Sequence, residues 1–573
     1  MPVVEPTTPG LLGRSRTRIS SSSLTTFLRC KSQWFWKYKI GLTSPKSISQ
    51  ILGIELEDAL CRVLMNTPVS INSLKKLTDW AISLCSEEAK VCFENSEKRW
   101  NQTLWKNPSQ RFDSVNLDDL EKKIVSGIEL FLDEVKLCYQ SNGGPFIDRF
   151  RTGDVVFETP APCWRQEPKF TIPDKVRNFG LRNWSRPSDF KWQKAGSDIT
   201  WSEAWEIARP WFKDPRVHQP QRIFHPDGWA AGELDLVLRW DGNIRIIDIK
   251  SGTSNSKFAK SLEHQLTFYS WLWYESFNQQ VPKSLHGWYL GSKEVIDYET
   301  PSSSQFAELA SQYHSNYEEM NNFHEGSVLF PLQLKSSCTN ESGCFWCRFD
   351  GNNISELTED KQLSERLNNL DHEVRPPYEM IQDIPNRVNV KGKFTGKWGP
   401  LPNHYSEPVL GAMLTASGTQ VTIEESEPGA FPDLHDLTGG EVIIKNALPG
   451  VWRGNPRLYV DSNTEIVIDE DSNRLKLTRI GLLRVKSNVS GIVISIDQRK
   501  GMRYDEKPWT MLNFHIWDGH SVVEVVAFGS SITTQLINLN PGDEVKITSA
   551  ELGWRSGLPQ LRIDSRSTRV IVN

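Results

Sequence analysis

The chain has 573 residues, of which 24% are charged and 38% hydrophobic, with a formal net charge of −5. That length exceeds a single core and predicts three or four domains. The acidic balance excludes a globally basic nucleic-acid-binding protein, so any such surface must be local, and no apolar run approaches the ~18 residues that would span a bilayer.

Residues 1–20 carry Arg14, Arg16 and Arg18 among many Ser and Thr and lack an apolar secretion core, which reads as a disordered intracellular tail. Ser22 or Ser23 is placed to cap a helix in which Leu24, Phe27, Leu28, Trp34 and Tyr38 recur at helical spacing, with Cys30 inside it. Helices are predicted over Ser49 to Met65, Leu74 to Ser86 and Leu117 to Tyr139, forming a mostly helical insertion. From Glu158 to Pro220 the chain is rich in Trp, Pro, Lys and Arg. Trp164, Trp184, Trp192, Trp201, Trp205 and Trp211 there suit either base stacking or the core of a loop-rich subdomain.

Asp227 to Gly252 is the stretch that carries chemistry. Apolar and polar residues alternate over Glu233 to Trp240 and Asn243 to Ile249, with Asp241-Gly242 between them as a tight turn. A hairpin brings Asp235 towards Asp248 and Lys250. Strands of Val, Leu and Ile need no acids there for packing, whereas two carboxylates beside an ammonium are suited to holding Mg²⁺ against a phosphate. The following helix, Lys257 to Asn278, sets Gln265 and Tyr269 four residues apart on one face. A strand pair over Ser284 to Asp297 and a helix over Ser302 to Phe323 come next.

The nine cysteines divide into two kinds. Cys61, Cys85, Cys92, Cys138 and Cys163 are scattered and read as small buried residues, as does Cys30 on its own. Cys338, Cys344 and Cys347 are clustered, which in a large chain without a secretion signal points to metal rather than disulfides. A polar helix over Glu359 to Leu370 and Arg375-Pro376-Pro377 mark a helical linker, 351–384.

The last third contains an internal repeat. At an offset of 103 residues, Val442, Ile444, Ala447, Gly454, Pro456 and Leu458 match Val545, Ile547, Ala550, Gly557, Pro559 and Leu561. The second copy reads strand, strand, strand, helix (Ser531 to Leu539), strand, strand, an order that resembles the OB-fold of replication protein A-like single-strand binders. Residues 385–470 hold 7 Lys+Arg against 11 Asp+Glu, a balance of −4, and residues 471–573 hold 14 against 10, a balance of +4. The second copy is therefore the better expected DNA-holding barrel, with Trp509, Phe514, Trp517, Trp554 and Arg555 as its contacts.

Gly232-Glu233-Leu234-Asp235, Asp248-Ile249-Lys250, Gln265 and Tyr269, in that order, resemble the PD-(D/E)XK nucleases, in the RecB-like branch with its Gln-xxx-Tyr helix. The resemblance runs over residues 21–350. It implies that Asp235, Asp248 and the Ile249 carbonyl hold Mg²⁺ or Mn²⁺, that Lys250 orients the attacking water or neutralises the phosphorane, and that Gln265 and Tyr269 position the scissile phosphate. Members of this branch place a metal-binding His four residues after a helical Gly; counted from Gly53, that position is Glu57 here. Cys30 with Cys338, Cys344 and Cys347 resembles the four-thiolate 4Fe-4S site of AddB and the CRISPR-associated Cas-four family. The trailing spacing is reversed relative to that family, and Zn²⁺ is the alternative occupant.

The expected architecture is an α/β restriction-endonuclease-like nuclease core with helical insertions (21–350), followed by two β-barrel OB-fold domains (385–470 and 471–573). The expected function is metal-dependent hydrolysis of single-stranded or flapped DNA in repair, recombination or defence. The cellular setting expected with it is cytoplasmic and nucleoid-associated. No Gly-x-x-x-x-Gly-Lys-Ser/Thr loop is present, so unwinding falls to a helicase or repair-complex partner. The competing reading is a catalytically inactive replication protein A-like single-stranded-DNA-binding or scaffold protein.

Overall fold

The computed structural model describes residues 18–152, 187–216, 222–255, 259–322, 363, 365, 367, 373–402, 408–426, 431–435, 440–452, 454–461, 463–468, 475–502, 507–555 and 557–573. Cys163, Cys338, Cys344, Cys347, Trp164 and Trp184 lie outside these residues, as does most of the helix expected over Glu359 to Leu370.

The N-terminal part is organised by a five-stranded sheet. Its strands are β1 (Trp211–Phe212), β4 (Leu236–Leu238), β5 (Arg245–Lys250), β6 (Ser284–Tyr289) and β7 (Glu294–Tyr298), adjacent in that order. A short pair, β2 (Ile223–Phe224) and β3 (Ala231–Gly232), stands beside it. The expected hairpin is present: β4 and β5 are antiparallel, with Leu236 opposite Ile247 and Leu238 opposite Arg245. Gly242 in its turn has φ +84, a left-handed value that a side chain resists. Strand β5 runs parallel to β6, which requires a crossover. Helix α8 (Ala259–Ser276) supplies it.

Both faces of the sheet are covered, so β4 reads as an unbroken apolar run. Val237 and Ile246 join a cluster with Leu262, Leu266 and Tyr269 of α8 and Phe27 of α1 (Ser21–Arg29). Leu236, Leu238 and Ile247 join a second cluster with Leu56 and Leu60 of α3 (Ile48–Leu64) and Ile128 of α5 (Leu117–Gln140). Helix α4 (Leu74–Gln102) runs well past the expected end at Ser86. Its buried positions Leu77, Ala81, Cys85, Ala89, Cys92, Ser96 and Trp100 keep a stripe in which small residues allow close packing, and this weakened the hydrophobic signal. The described tryptophans of the Trp-rich region are core: Trp205 and Trp211 are buried and Trp201 stacks on Tyr139 at 3.8 Å, beside α6 (Ile147–Thr152) and α7 (Trp201–Ala208).

Three expectations near the N-terminus change. Of the tail, residues 18–20 are folded: Ile19 is fully buried and bridges Ala230, and Arg18 donates to the Gly228 carbonyl at 2.8 Å. Ser20, rather than Ser22 or Ser23, caps α1, in a reciprocal capping box with Ser23. The helix expected through Cys30 is two helices. Cys30 is extended (φ −158, ψ 105) and its buried Sγ caps α2 (Lys31–Trp34) by accepting the Gln33 amide at 3.4 Å; α2 then continues as a π-helical turn, Phe35–Ile40.

Two closed barrels follow. In the first, β8 (Val388–Pro402), β9 (Pro408–Ala416), β10 (Thr419–Glu425), β12 (Asn455–Val460) and β11 (Glu441–Trp452) pair in that order and β11 closes on β8; β13 (Glu465–Ile468) adds to β11. The second repeats this with β14 (Lys486–Met502), β15 (Pro508–Trp517), β16 (Val522–Phe528), β18 (Leu558–Ile563) and β17 (Glu544–Arg555), plus β19 (Arg569–Val572). In each, strands three and five pair in parallel. The five-stranded closed order, with helix α9 (Ser303–Asn322) preceding both barrels and α10 (Thr534–Ile537) between strands three and four of the second, is the OB arrangement read from the repeat. Closure pairs the five barrel strands all round and leaves β13 and β19 as the edge strands.

The second barrel shares one apolar cluster with the N-terminal part, joining Trp34, Trp36 and Ile40 to Ile496, Phe514 and Leu558. Across that junction Thr43 donates its amide to Ser495 Oγ at 3.0 Å, and His515 Nε2 donates to the Ile40 carbonyl at 3.0 Å. Gly41 there has φ +87, a conformation that favours glycine, and a Cβ on it would displace the Arg555 guanidinium, which lies 1.8 Å from that position.

Candidate active site

The hairpin register sets the carboxylates side by side. Asp235 immediately precedes β4, and its Oδ2 accepts the Ile249 amide of β5 at 2.8 Å. Asp248 is 1% exposed; its Oδ1 accepts from Gln265 Nε2 at 2.8 Å and its Oδ2 is ion-paired with Lys250. Gln265 Nε2 also lies 3.1 Å from the Tyr269 hydroxyl. The helical spacing thus works as expected: one turn of α8 aims two polar side chains at the strand carrying the acid.

Burial pushes the Asp248 carboxyl up to about 7, and repulsion from Asp235 adds to it, while Lys250 opposes. The Lys250 ammonium is held above its ordinary range by Asp248 and Asp235, against the pull of burial. Tyr269 is pushed upwards too, first by burial and then by Asp248, so its phenol stays protonated and able to donate.

Glu57, on α3, is at the same site but is paired with Lys213, which follows β1 and also reaches Glu233 at 3.4 Å. Burial and the charge of Asp235 push the Glu57 carboxyl up to about 8. Lys213 is a site residue that sequence reading missed. Its only signal was a charge directly after the buried pair Trp211-Phe212, in a region without periodicity.

Whether these groups suit a divalent cation follows from their chemistry. Asp235 and Asp248 are hard oxygen donors on adjacent strand segments, and the buried Asp248 Oδ2 accepts no hydrogen bond apart from its lysine contact. Mg²⁺ commonly binds through one or two carboxylates and keeps several waters, so this pair fits it. Among the described residues no group of three or more His, Cys, Asp and Glu side chains is assembled as a metal cage. Glu57, the further expected ligand, is ion-paired with Lys213 beside this pair.

The structure divides the expected nucleic-acid contacts of the second barrel. Trp509 is 38% exposed. Phe514 is fully buried in the barrel, which leaves no ring face for a base and takes it out of the stacking set. Trp554 is buried between the barrels, donating Nε1 to the Pro449 carbonyl at 2.6 Å. Arg555 pairs with Glu524 at 2.8 Å and donates to the Ile40 carbonyl at 3.2 Å, so it fastens the junction. Trp517 is half-buried. Cys30 is buried at the α1–α2 break.

Residues 181–350 match the PD-(D/E)XK nuclease superfamily, and this segment contains the hairpin, Gln265 and Tyr269. No curated protein matches the chain. Similar solved structures include a replication protein A heterotrimer bound to single-stranded DNA, at 15% identity over 34% of this chain and 51% of that one, with a TM-score of 0.14. The match therefore spans about half of that replication protein A chain. A murine DNA-binding protein bound with double-stranded DNA is similar at 16% identity over 32% of this chain and 96% of that one, TM-score 0.13. The OB domain of a Thermoplasma acidophilum protein is similar at 17% identity over 17% and 85%, TM-score 0.13. Among the described residues no helix is long and apolar enough to cross a membrane.

Proposed function

We propose that the chain is a metal-dependent deoxyribonuclease that hydrolyses phosphodiester bonds in single-stranded or flapped DNA, in repair, recombination or defence. The observation that carries this reading is the convergence of Asp235, Asp248, Lys250, Gln265 and Tyr269 on one strand end within the segment that matches a nuclease superfamily.

Asp235 and Asp248, with the Ile249 carbonyl, are the residues that would hold Mg²⁺ or Mn²⁺. Such an ion supplies Lewis acidity to the phosphoryl oxygens and acidifies water. The protein's own groups do the rest. Lys250 places a positive charge where negative charge grows on phosphorus and can orient the attacking water. Gln265 fixes the Asp248 carboxylate through Oδ1, leaving Oδ2 directed towards Lys250. Tyr269, kept protonated, donates to a phosphate oxygen. Lys213 adds a positive charge beside Glu57 and so favours the approach of an incoming phosphate.

The barrels are read as the part that retains the DNA strand, raising its effective concentration at the hydrolytic site, with exposed Trp509 as a stacking surface. Cys30 with Cys338, Cys344 and Cys347 is read as a 4Fe-4S site; iron in anaerobically purified protein supports it, and zinc without iron refutes it. The test of the main reading is cleavage of end-labelled single-stranded DNA with Mg²⁺ or Mn²⁺. Intact DNA, or equal cleavage by Lys250→Ala protein, would overturn it.

A further inference from the structure

A cleft of about 500 Å³ opens beside Gln265 and Tyr269, with the α1–α2 segment as its other wall. Four cationic residues line it, Arg18, Arg29, Lys37 and Arg222, against a single acidic one, Glu233. This local excess stands out in a chain whose net charge is −5.

At Arg29 and Lys37 the positive charge is not cancelled by an acid of the wall. Exposed Arg29 donates to the neutral Gln33 Oε1 at 2.8 Å, and exposed Lys37 lies 5.2 Å from the Tyr38 ring centroid. Neither has a carboxylate partner within ion-pair distance among the described residues. Arg222 is 3.8 Å from Glu233, a long contact for an exposed pair. Like charges gathered in one cleft repel, and an anionic ligand relieves that repulsion. Ser22 and Thr25 add hydroxyls along the same wall, which suit phosphate oxygens.

We propose that this cleft is the entry track for a single DNA strand, whose phosphodiester backbone crosses Arg29 and Lys37 before it reaches Gln265 and Tyr269. The proposal rests on the nuclease reading and specifies its substrate path. The volume lies in the ~300–1,000 Å³ range of ligand clefts, a scale that suits a short stretch of one strand. Tyr38, half-buried in the lining, serves an unstacked base, and a duplex has none to offer it. The wall is firmly mounted, because the Ile19–Ala230 bridge and the Arg18 bond to Gly228 tie the start of α1 to the β2–β3 pair.

The experiment is fluorescence anisotropy of a short labelled oligothymidine with full-length protein in EDTA, over a range of NaCl concentrations. Each single-strand phosphate contact contributes about 0.7 to the slope of log K against log salt. The Arg29→Gln, Lys37→Gln double variant should therefore lose about 1.4 from the slope and bind more weakly, and blunt duplex should compete poorly. Charge-preserving Arg29→Lys, Lys37→Arg protein should keep the slope. Unchanged slope and affinity in the glutamine variant, equal loss in the charge-preserving one, or full displacement by blunt duplex would each overturn the track. Binding is read without metal or cleavage, so an inactive wild type would refute the nuclease reading and leave this measurement intact.

Discussion

Lys213 is ion-paired with Glu57, joining the edge strand of the sheet to α3 at the mouth of the site. Both side chains are about four-fifths buried, with 20% and 18% of their surfaces exposed. Removing one partner strands the other charge, so Lys213→Met should lower unfolding free energy by up to about 3 kcal/mol. Adding Glu57→Gln should restore most of that loss. Urea denaturation of the single and double variants measures the coupling.

Lys250→Ala should lower kcat for single-stranded DNA by ~10²–10³, the range seen when one group that stabilises transition-state charge is removed. Affinity for the same DNA in EDTA should be unchanged. Parallel loss of binding would make Lys250 a substrate anchor instead.

Gln265→Glu replaces the donor to Asp248 Oδ1 with a second carboxylate at 2.8 Å geometry. Loss of the hydrogen bond to a buried charge, with repulsion added, should cost ~1–3 kcal/mol and abolish cleavage. Thermal melting and end-labelled cleavage assays read the two effects separately.

His515 gives the junction a pH dependence. Burial is the first cause that lowers it from 6.5 to about 4; Glu524 and the Ile40 carbonyl oppose, and Arg555 and Arg499 reinforce the shift. The folded state therefore keeps the ring neutral while the unfolded chain protonates it. Stability is full above about pH 6.5, falls as pH drops towards about 4, and flattens below. His225 is lowered in the same window, also by burial. The difference between wild type and His515→Gln isolates His515, and the variant should show the shallower fall in melting temperature between those pH values.

Trp554→Phe keeps an aromatic ring, smaller than the indole, and removes the bond to Pro449 across the barrels. It should cost about 1 kcal/mol and leave oligothymidine affinity unchanged, whereas Trp509→Ala should weaken that affinity. Anisotropy on the two variants tells a structural tryptophan from a stacking one.

The hairpin was legible because its signals are local. Asp241-Gly242 marks the connection, which in the structure runs from Arg239 to Ile244, and the pairing register of the two strands brings Asp235 beside Asp248 and the Ile249 amide. Gln265 and Tyr269 follow from helical spacing. The barrels were legible because a repeat doubles every signal. Cys30 was misplaced inside a helix because a thiol that caps an amide has no sequence signature distinct from a buried one.

The sequence by itself determined the order of elements, the pair of barrels and the core set of reactive side chains, since these depend on periodicity and short-range geometry. Only the tertiary structure decided which charges meet. It brought Lys213 to Glu57 across 156 positions of chain, set Trp554 between the two barrels and Arg555 at the junction with the N-terminal part, and gathered Arg18, Arg29, Lys37 and Arg222 into one cleft. The physical reason is range: hydrophobic patterning acts within an element, whereas ion pairs and clefts depend on distances that exist only once separate elements have packed.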